Sequence, residues 1–154
     1  MSPSNNESCP EPNLYVENAF VGSWAYRSLL NDTDLDKPFN DLQFGKGTIV
    51  IESGPAQTLR GTIGGPGWEL TLYGSREYGS PMRARFQGKG MVGGEEWIYD
   101  YVCWLVPNWP NSNPRLQRPA LVGSVIRTIP HRSSSGGVSP AGVTASFYAV
   151  RMDD

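Results

Sequence analysis

Three glycines, Gly88, Gly90 and Gly93, have the spacing G-x-G-x-x-G, which cradles a phosphate in dinucleotide-binding folds. That chemistry needs a helix after the glycines, because the helix N-terminus holds the pyrophosphate, and an acidic residue about 20 positions later for the ribose. The segment 95–106 is instead rich in aromatic and β-branched residues, which favour a strand, and Pro107 ends it. No acidic residue follows at the required distance. We therefore expect a tight hairpin turn at the glycines and no cofactor.

Few other residues are suited to acid–base chemistry. His131 is the single histidine, which excludes a metal site built from several histidines, and we expect no metal site. Because it follows Pro130 in a polar segment, the simpler expectation is an exposed loop residue. The functional alternative is a general base, backed by acidic residues of the segment 31–46. Tyr99 is a further candidate acid or base.

Asp100 lies in the middle of an aromatic segment whose side chains must alternate between two faces. If Tyr99 and Tyr101 face the interior, Asp100 is solvated. If Trp104 and Asp100 face the interior, a carboxylate lies in an aromatic cavity, where Arg127 would compensate its charge. Arg127 is the only charge in the apolar segment 120–129, so a salt bridge at the rim is the alternative for it. The alternation alone leaves both assignments open.

Nucleophilic catalysis has little support in this sequence. Ser133, Ser134 and Ser135 lie in a flexible-looking segment that lacks a G-x-S-x-G elbow. Cys9 and Cys103 match no metal-ligand spacing, and a cysteine in the middle of a strand is usually a small core residue. We expect two free thiols.

Composition favours an all-β domain. The chain has 154 residues, 18 Gly, 13 Pro and 17 aromatic residues (five Trp, seven Tyr, five Phe), so many turns and short strands are expected. The net charge of −2, without a basic patch, argues against nucleic-acid binding, and no apolar run is long enough for a membrane span. The N-terminus has no export signal, so we expect a cytoplasmic protein, with a trimmed secreted form as the alternative. We divide the chain into a flexible arm at 1–14 and one domain at 15–154.

Eight segments have the alternation and the flanking turn residues of strands. Their predicted bounds are 22–30, 47–52, 58–64, 68–74, 81–90, 95–106, 120–129 and 144–152. Short connections favour an antiparallel up-and-down β-barrel, since closure removes free strand edges. In such a barrel the long loops 31–46 and 130–143 share one end and flank an open mouth, whereas the Pro-rich loop 107–119 lies at the other end.

Two motifs resemble those of the calycins, the lipocalin and avidin type of barrel. Gly22-Ser-Trp24 opens the first predicted strand as G-x-W, and Arg151 lies near the end of the last. The resemblance implies a calycin-like barrel in which Trp24 fills the closed base and the Arg151 guanidinium covers its ring. It implies no particular ligand.

Our leading hypothesis is a barrel that binds a small hydrophobic or aromatic molecule in its interior. A cofactor-independent cyclase or isomerase is the enzymatic alternative, with Asp100, Tyr99 or His131 as acid or base. A structural or homo-oligomer-forming module is the third interpretation. The predicted ligand-binding residues are Tyr26, Trp68, Trp97, Trp104 and Arg127.

Overall fold

The computed structural model describes residues 19–133 and 135–152, so the arm predicted at 1–14 and Cys9 lie outside the described residues. Strands dominate the described chain, and one short helical turn lies between the first two. The elements are β1 Gly22–Leu30, α1 Phe39–Leu42, β2 Gln43–Ser53, β3 Thr58–Gly65, β4 Trp68–Glu77, β5 Arg83–Val92, β6 Glu95–Val106, β7 Ala120–Arg127, β8 His131–Arg132, β9 Val138–Ser139 and β10 Thr144–Arg151.

Eight strands close into one antiparallel barrel in the order β1-β10-β7-β6-β5-β4-β3-β2. The small hairpin β8–β9 is inserted between β7 and β10 and forms a separate two-stranded sheet. Because β1 pairs with both β2 and β10, the barrel strands leave no free edge. The predicted all-β, eight-stranded up-and-down barrel is confirmed. No helix in the described part of the chain is long and apolar enough to cross a membrane.

The strand bounds agree with the prediction best where aromatic alternation is strongest. β1 and β6 have the predicted bounds, whereas β2 begins earlier, at Gln43. The prediction assigned 43–46 to a loop because glycine is typical of turns. In the structure Gly45 and Gly47 lie inside the strand. The hairpin β8–β9 was not predicted, because each of its strands has only two residues.

Gly93 and Gly94 form the hairpin turn that joins β5 to β6, whereas Gly88 and Gly90, which were predicted to belong to the turn, lie inside β5. Gly93 and Gly94 have φ angles of 59° and 84°, and the flanking residues Val92 and Glu95 pair with each other. Two consecutive positive φ angles match the twist of a two-residue hairpin turn, which glycine adopts without steric cost. A strand follows the glycines, so the geometry needed for a dinucleotide is not formed.

One end of the barrel is closed, and we call it the base. Trp24 is fully buried there, and its indole Nε1 donates a hydrogen bond of 3.1 Å to the Phe20 carbonyl. The Arg151 guanidinium carbon lies 4.5 Å from the centre of the Trp24 ring. Gly22 has φ 142°, and a Cβ at this position would lie 2.5 Å from Arg151 Nη1. The barrel and this pairing are consistent with the calycin-like architecture that the motifs imply.

The other end, which we call the mouth, carries the connections 31–42, 66–67, 93–94 and 128–143. The two long loops therefore share one end, as predicted. Since β1 and β10 are neighbours, these loops also lie side by side. Between base and mouth, Ile49, Leu70, Leu72 and Val125 are among the buried core residues.

Candidate ligand-binding site

The mouth leads into two connected spaces. The inner cavity has a volume of about 170 Å³ and is lined by Tyr26, Phe44, Gly45, Trp68, Trp97, Tyr99 and Tyr101. Above it lies a wider vestibule of about 830 Å³, whose polar lining includes Glu95, Arg127, His131 and Arg132. Phe44, Trp68, Trp97 and Tyr99 line both spaces, so four aromatic rings form the passage between them.

The alternation of β6 supplies one wall of the inner cavity. Trp97, Tyr99 and Tyr101 lie on its inner face, and Tyr99 and Tyr101 are 8% and 6% exposed. The ring centres of Trp97 and Tyr99 are 6.2 Å apart. Trp68, the first residue of β4, adds a ring whose centre is 6.4 Å from that of Trp97. This wall is therefore a continuous aromatic surface.

A β-bulge supplies the opposite wall. Ser28 pairs with Gly45 and Leu29 pairs with Gln43, so Phe44 has no partner in β1. The extra residue breaks the alternation, and both Phe44 and Gly45 reach the cavity. The Phe44 ring meets the Tyr99 ring edge-on at 5.9 Å. Gly45 has no side chain, and a Cβ at this position would lie 3.2 Å from Ser28 Oγ and 3.5 Å from the Tyr26 ring.

Two tyrosine hydroxyls near the inner cavity differ in their hydrogen bonding. The Tyr26 hydroxyl donates to Ser28 Oγ at 2.8 Å, whereas the Tyr101 hydroxyl has no partner within residues 19–133 and 135–152. Among the described side chains, one polar atom is both fully buried and without a hydrogen-bond partner, and it is Arg76 Nη1, not the Tyr101 hydroxyl. The Tyr101 hydroxyl is therefore not fully buried, and Tyr101 is one of the residues that line the inner cavity. Burial raises the pKa of both tyrosines, so both stay neutral phenols.

His131 is buried in the mouth, only 7% exposed, and stacks on Trp97 with 4.1 Å between ring centres and 13° between planes. The simpler expectation of an exposed loop residue is wrong. Thr128 anchors the loop by donating from its backbone N–H and its hydroxyl to the Ile98 carbonyl. Arg132 anchors it again through hydrogen bonds to the Glu95 carboxylate. These contacts hold the loop against β6 and press His131 onto the aromatic wall.

A chain of hydrogen bonds crosses the mouth. His131 Nδ1 lies 3.0 Å from the Arg132 carbonyl, which can only accept, so the neutral ring carries its proton on Nδ1. His131 Nε2 is then the acceptor for the Tyr99 hydroxyl, 2.7 Å away. Tyr99 in turn accepts from Arg127 Nε at 3.0 Å. Burial raises the pKa of Tyr99, and the nearby Arg127 opposes that rise. The chain Arg127–Tyr99–His131 can therefore orient a ligand or pass a proton.

Arg127 lies against aromatic rings. Its guanidinium carbon is 4.9 Å from the Phe44 ring centre, and Nη1 donates to the Pro140 carbonyl at 3.1 Å. No carboxylate of the described residues lies within salt-bridge distance of Arg127. The alternative of a salt bridge at the rim is therefore wrong. The reason is the register, which places Arg127 opposite Tyr99.

Asp100 and Trp104 lie on the outer face of β6, away from the cavity. Asp100 accepts a hydrogen bond of 3.2 Å from Gln87 and pairs in register with Ile126, so of the two alternatives the solvated one is confirmed and the contact with Arg127 is wrong. Trp104 is 38% exposed and lines neither space, which corrects its assignment to the ligand site. Since Tyr99 and Tyr101 take the inner face, alternation sends both residues outward.

The acidic residues of the 31–46 loop do not reach His131. Asp32 pairs with Lys37 at 2.7 Å, and the two His131 nitrogens contact Tyr99 and the Arg132 carbonyl. Cys103 lies in the core, where burial raises its pKa to about 12, so it is a poor nucleophile. No cluster of three or more potential metal ligands occurs within the described ranges.

The sequence-predicted residues Tyr26, Trp68, Trp97, Tyr99, Arg127 and His131 converge at the mouth. Phe44 and Gly45 were missed, because a bulge has no signature in the alternation. Tyr101 was missed as a ligand contact, although it shares the parity of Tyr99. Comparison with protein-family models, with curated proteins and with solved structures finds no match to this chain.

Proposed function

We propose that the barrel binds a small, mainly aromatic molecule in its inner cavity. The observation that carries this proposal is a cavity of about 170 Å³ walled by aromatic rings, among them Tyr101, whose hydroxyl has no partner in the described residues. An apolar cavity of roughly 150 Å³ is large enough to hold one benzene ring. Flat rings on opposite walls favour a planar occupant, since offset and edge-on ring contacts are both attractive.

The Tyr101 hydroxyl indicates what the inner end of the ligand carries. A ligand hydroxyl or carbonyl in the cavity would give this hydroxyl the hydrogen-bond partner that the protein does not supply. The hydroxyl of Tyr26 is already engaged with Ser28. A phenol therefore fits the inner cavity better than a plain hydrocarbon ring.

Titration with p-cresol, followed by calorimetry and tryptophan fluorescence, tests the proposal. We expect saturable binding and a change in emission, because Trp68 and Trp97 line the cavity. Gly45→Leu should abolish binding, since a Cβ at Gly45 already lies 3.2 Å from Ser28 Oγ and the remaining atoms would fill the space. Thr48→Leu on the exposed face of the same strand is the control and should bind normally.

Equal binding by the two leucine variants would move the ligand out of the inner cavity. No binding of p-cresol by the wild type would remove the proposed function. The structural or oligomer-forming interpretation has less support, because a purely structural barrel would be expected to have a packed interior, whereas this barrel has a cavity of about 170 Å³.

A second candidate function is cofactor-free proton transfer, as in a cyclase or isomerase. It is favoured by the 2.7 Å hydrogen bond between Tyr99 and His131. Tyr99 would accept a proton from a carbon next to a carbonyl while passing its own proton to His131 Nε2. The reverse transfer to another carbon would complete an isomerisation with no net change in protons.

Deuterium exchange into phenylacetone, followed by NMR, distinguishes this enzyme from a simple binder. Catalysed exchange in wild type that is lost in His131→Asn, with phenylacetone binding retained, would support proton transfer. Exchange at the uncatalysed rate in wild type would leave binding alone as the function.

A further inference from the structure

We infer that the ligand is an aryl carboxylic acid, with its ring in the inner cavity and its carboxylate on Arg127. This inference rests on the proposed function and adds the chemical class of the ligand. It is carried by the position of Arg127 at the passage between the two spaces, and by the hydrogen-bond donors that Arg127 leaves unused.

The first step concerns those donors. A guanidinium has five N–H groups. In Arg127 one is used by the Tyr99 hydroxyl and one by the Pro140 carbonyl, which leaves three, including both on Nη2. These groups have no further partner in the described part of the chain. Arg127 lines the vestibule, so its remaining donors are accessible to a ligand there.

The second step concerns the other charges of the vestibule. Glu95 and Arg132 form an ion pair with each other, so their charges largely cancel. His131 carries a single ring proton in its neutral form, and that proton is used on the Arg132 carbonyl. Arg127 is therefore the vestibule cation without an anionic partner in the described residues. The positive charge of Arg127 is therefore the one that would attract an anion to the mouth.

The third step concerns geometry. Phe44 and Tyr99 line both spaces, and the Arg127 guanidinium carbon lies 4.9 Å and 5.7 Å from their ring centres. A ligand ring in the inner cavity could therefore carry, on a short linker, a carboxylate that reaches the unused N–H groups of Arg127. A planar guanidinium binds a carboxylate with two parallel hydrogen bonds, and a single cation matches a monoanion.

The test compares phenylacetate with phenylacetamide, which has the same shape and no charge. Isothermal titration calorimetry at neutral pH should show wild type binding the acid about 10- to 100-fold more tightly, as expected when charge-assisted hydrogen bonds are gained. Arg127→Gln should lose that preference while it keeps the affinity for the amide within about twofold. Arg85→Gln removes the same charge from the outer face of β5 and should keep the preference.

Equal affinity of wild type for acid and amide overturns the inference while leaving the proposed function intact, because both probes still bind. A preference for the acid that survives in Arg127→Gln also overturns it. The wild-type comparison decides the matter even if Arg127→Gln does not fold. If neither probe binds and p-cresol does not bind either, the proposed function fails and the inference fails with it.

Discussion

The base and the mouth of the barrel use the same pair of groups, a guanidinium over an aromatic ring, in different ways. At the base, Arg151 covers Trp24 and donates to the carbonyls of Val21 and Ala19 at 3.0 Å and 2.9 Å. At the mouth, Arg127 covers Phe44 and leaves donors unused. Trp24 is fully buried, whereas Phe44 lines open space.

The difference teaches that the burial of the covered ring separates a plug from a binding surface: the Trp24 ring is fully buried, whereas the Phe44 ring lines open space. A guanidinium that covers a fully buried ring and donates to two backbone carbonyls beside it is part of the scaffold, and its ring contact adds stability. A guanidinium that faces the open vestibule keeps donors available for a ligand. We therefore expect base substitutions to change stability and mouth substitutions to change binding.

The largest expected effect is the loss of Trp24. Trp24→Ala should lower the free energy of unfolding by about 3–5 kcal/mol, because a fully buried indole leaves a large cavity. Trp97→Ala should cost far less stability but abolish p-cresol binding. Thermal melts monitored by circular dichroism make the comparison. A Trp24→Ala melting temperature within about a degree of wild type would contradict the scaffold role of the base.

The two arginines provide the next test. Arg151→Ala should destabilise the barrel by about 2 kcal/mol, since it leaves two backbone carbonyls without their charged donor. Arg127→Ala should cost about 1 kcal/mol or less, because it loses a tyrosine and one carbonyl contact at a partly open site. Urea unfolding of both variants measures the difference. Equal losses would mean that the mouth is as much a part of the scaffold as the base.

Alkaline pH should weaken the interior around the cavity. Burial raises the folded-state pKa of Tyr26, Tyr99 and Tyr101, so the folded state prefers the neutral phenols. The resulting stability is fully present below the unfolded pKa of about 10 and is lost as pH rises from there towards the raised folded pKa, by at most about 1.4 kcal/mol per pH unit for each tyrosine.

Tyrosinate absorbance and circular dichroism, recorded together, check this prediction. We expect the ionisation of these buried tyrosines to coincide with unfolding. Tyr101→Phe should reduce the alkaline loss and leave stability at neutral pH nearly unchanged, because the removed hydroxyl has no protein partner. A large loss of neutral-pH stability in Tyr101→Phe would show that this hydroxyl is satisfied within the fold.

The smallest effect concerns the loop that carries His131. Hydrogen bonds from the backbone and side chain of Arg132 lower the pKa of Glu95. The contribution of this contact is present above the ordinary glutamate pKa and is lost as pH falls through the lowered folded value. Acid or Glu95→Gln should speed amide exchange at β8 and β9 without changing global unfolding. Unchanged exchange would mean that the contact between Glu95 and Arg132 does not anchor the loop.

The barrel was predictable because its signals are local. Turn residues between alternating segments marked all eight barrel strands, and the bounds of β1 and β6 agree with the prediction. The Gly22-Ser-Trp24 motif and Arg151 indicated the pairing at the base. Errors arose where the local pattern is interrupted, as at the glycines inside β2 and in the hairpin β8–β9.

The sequence by itself determined the fold class, the end of the barrel that carries the long loops, and most of the aromatic residues that line the site. Only the tertiary structure decided that Tyr99 and Tyr101 face inward while Asp100 and Trp104 face outward. Alternation has a period of two, so a single strand fits either assignment equally well. Packing against residues far away in sequence decides between the two assignments. The contacts of His131 with Trp97 and Tyr99 also depend on tertiary structure, because the loop that carries His131 is buried only when β6 lies beneath it.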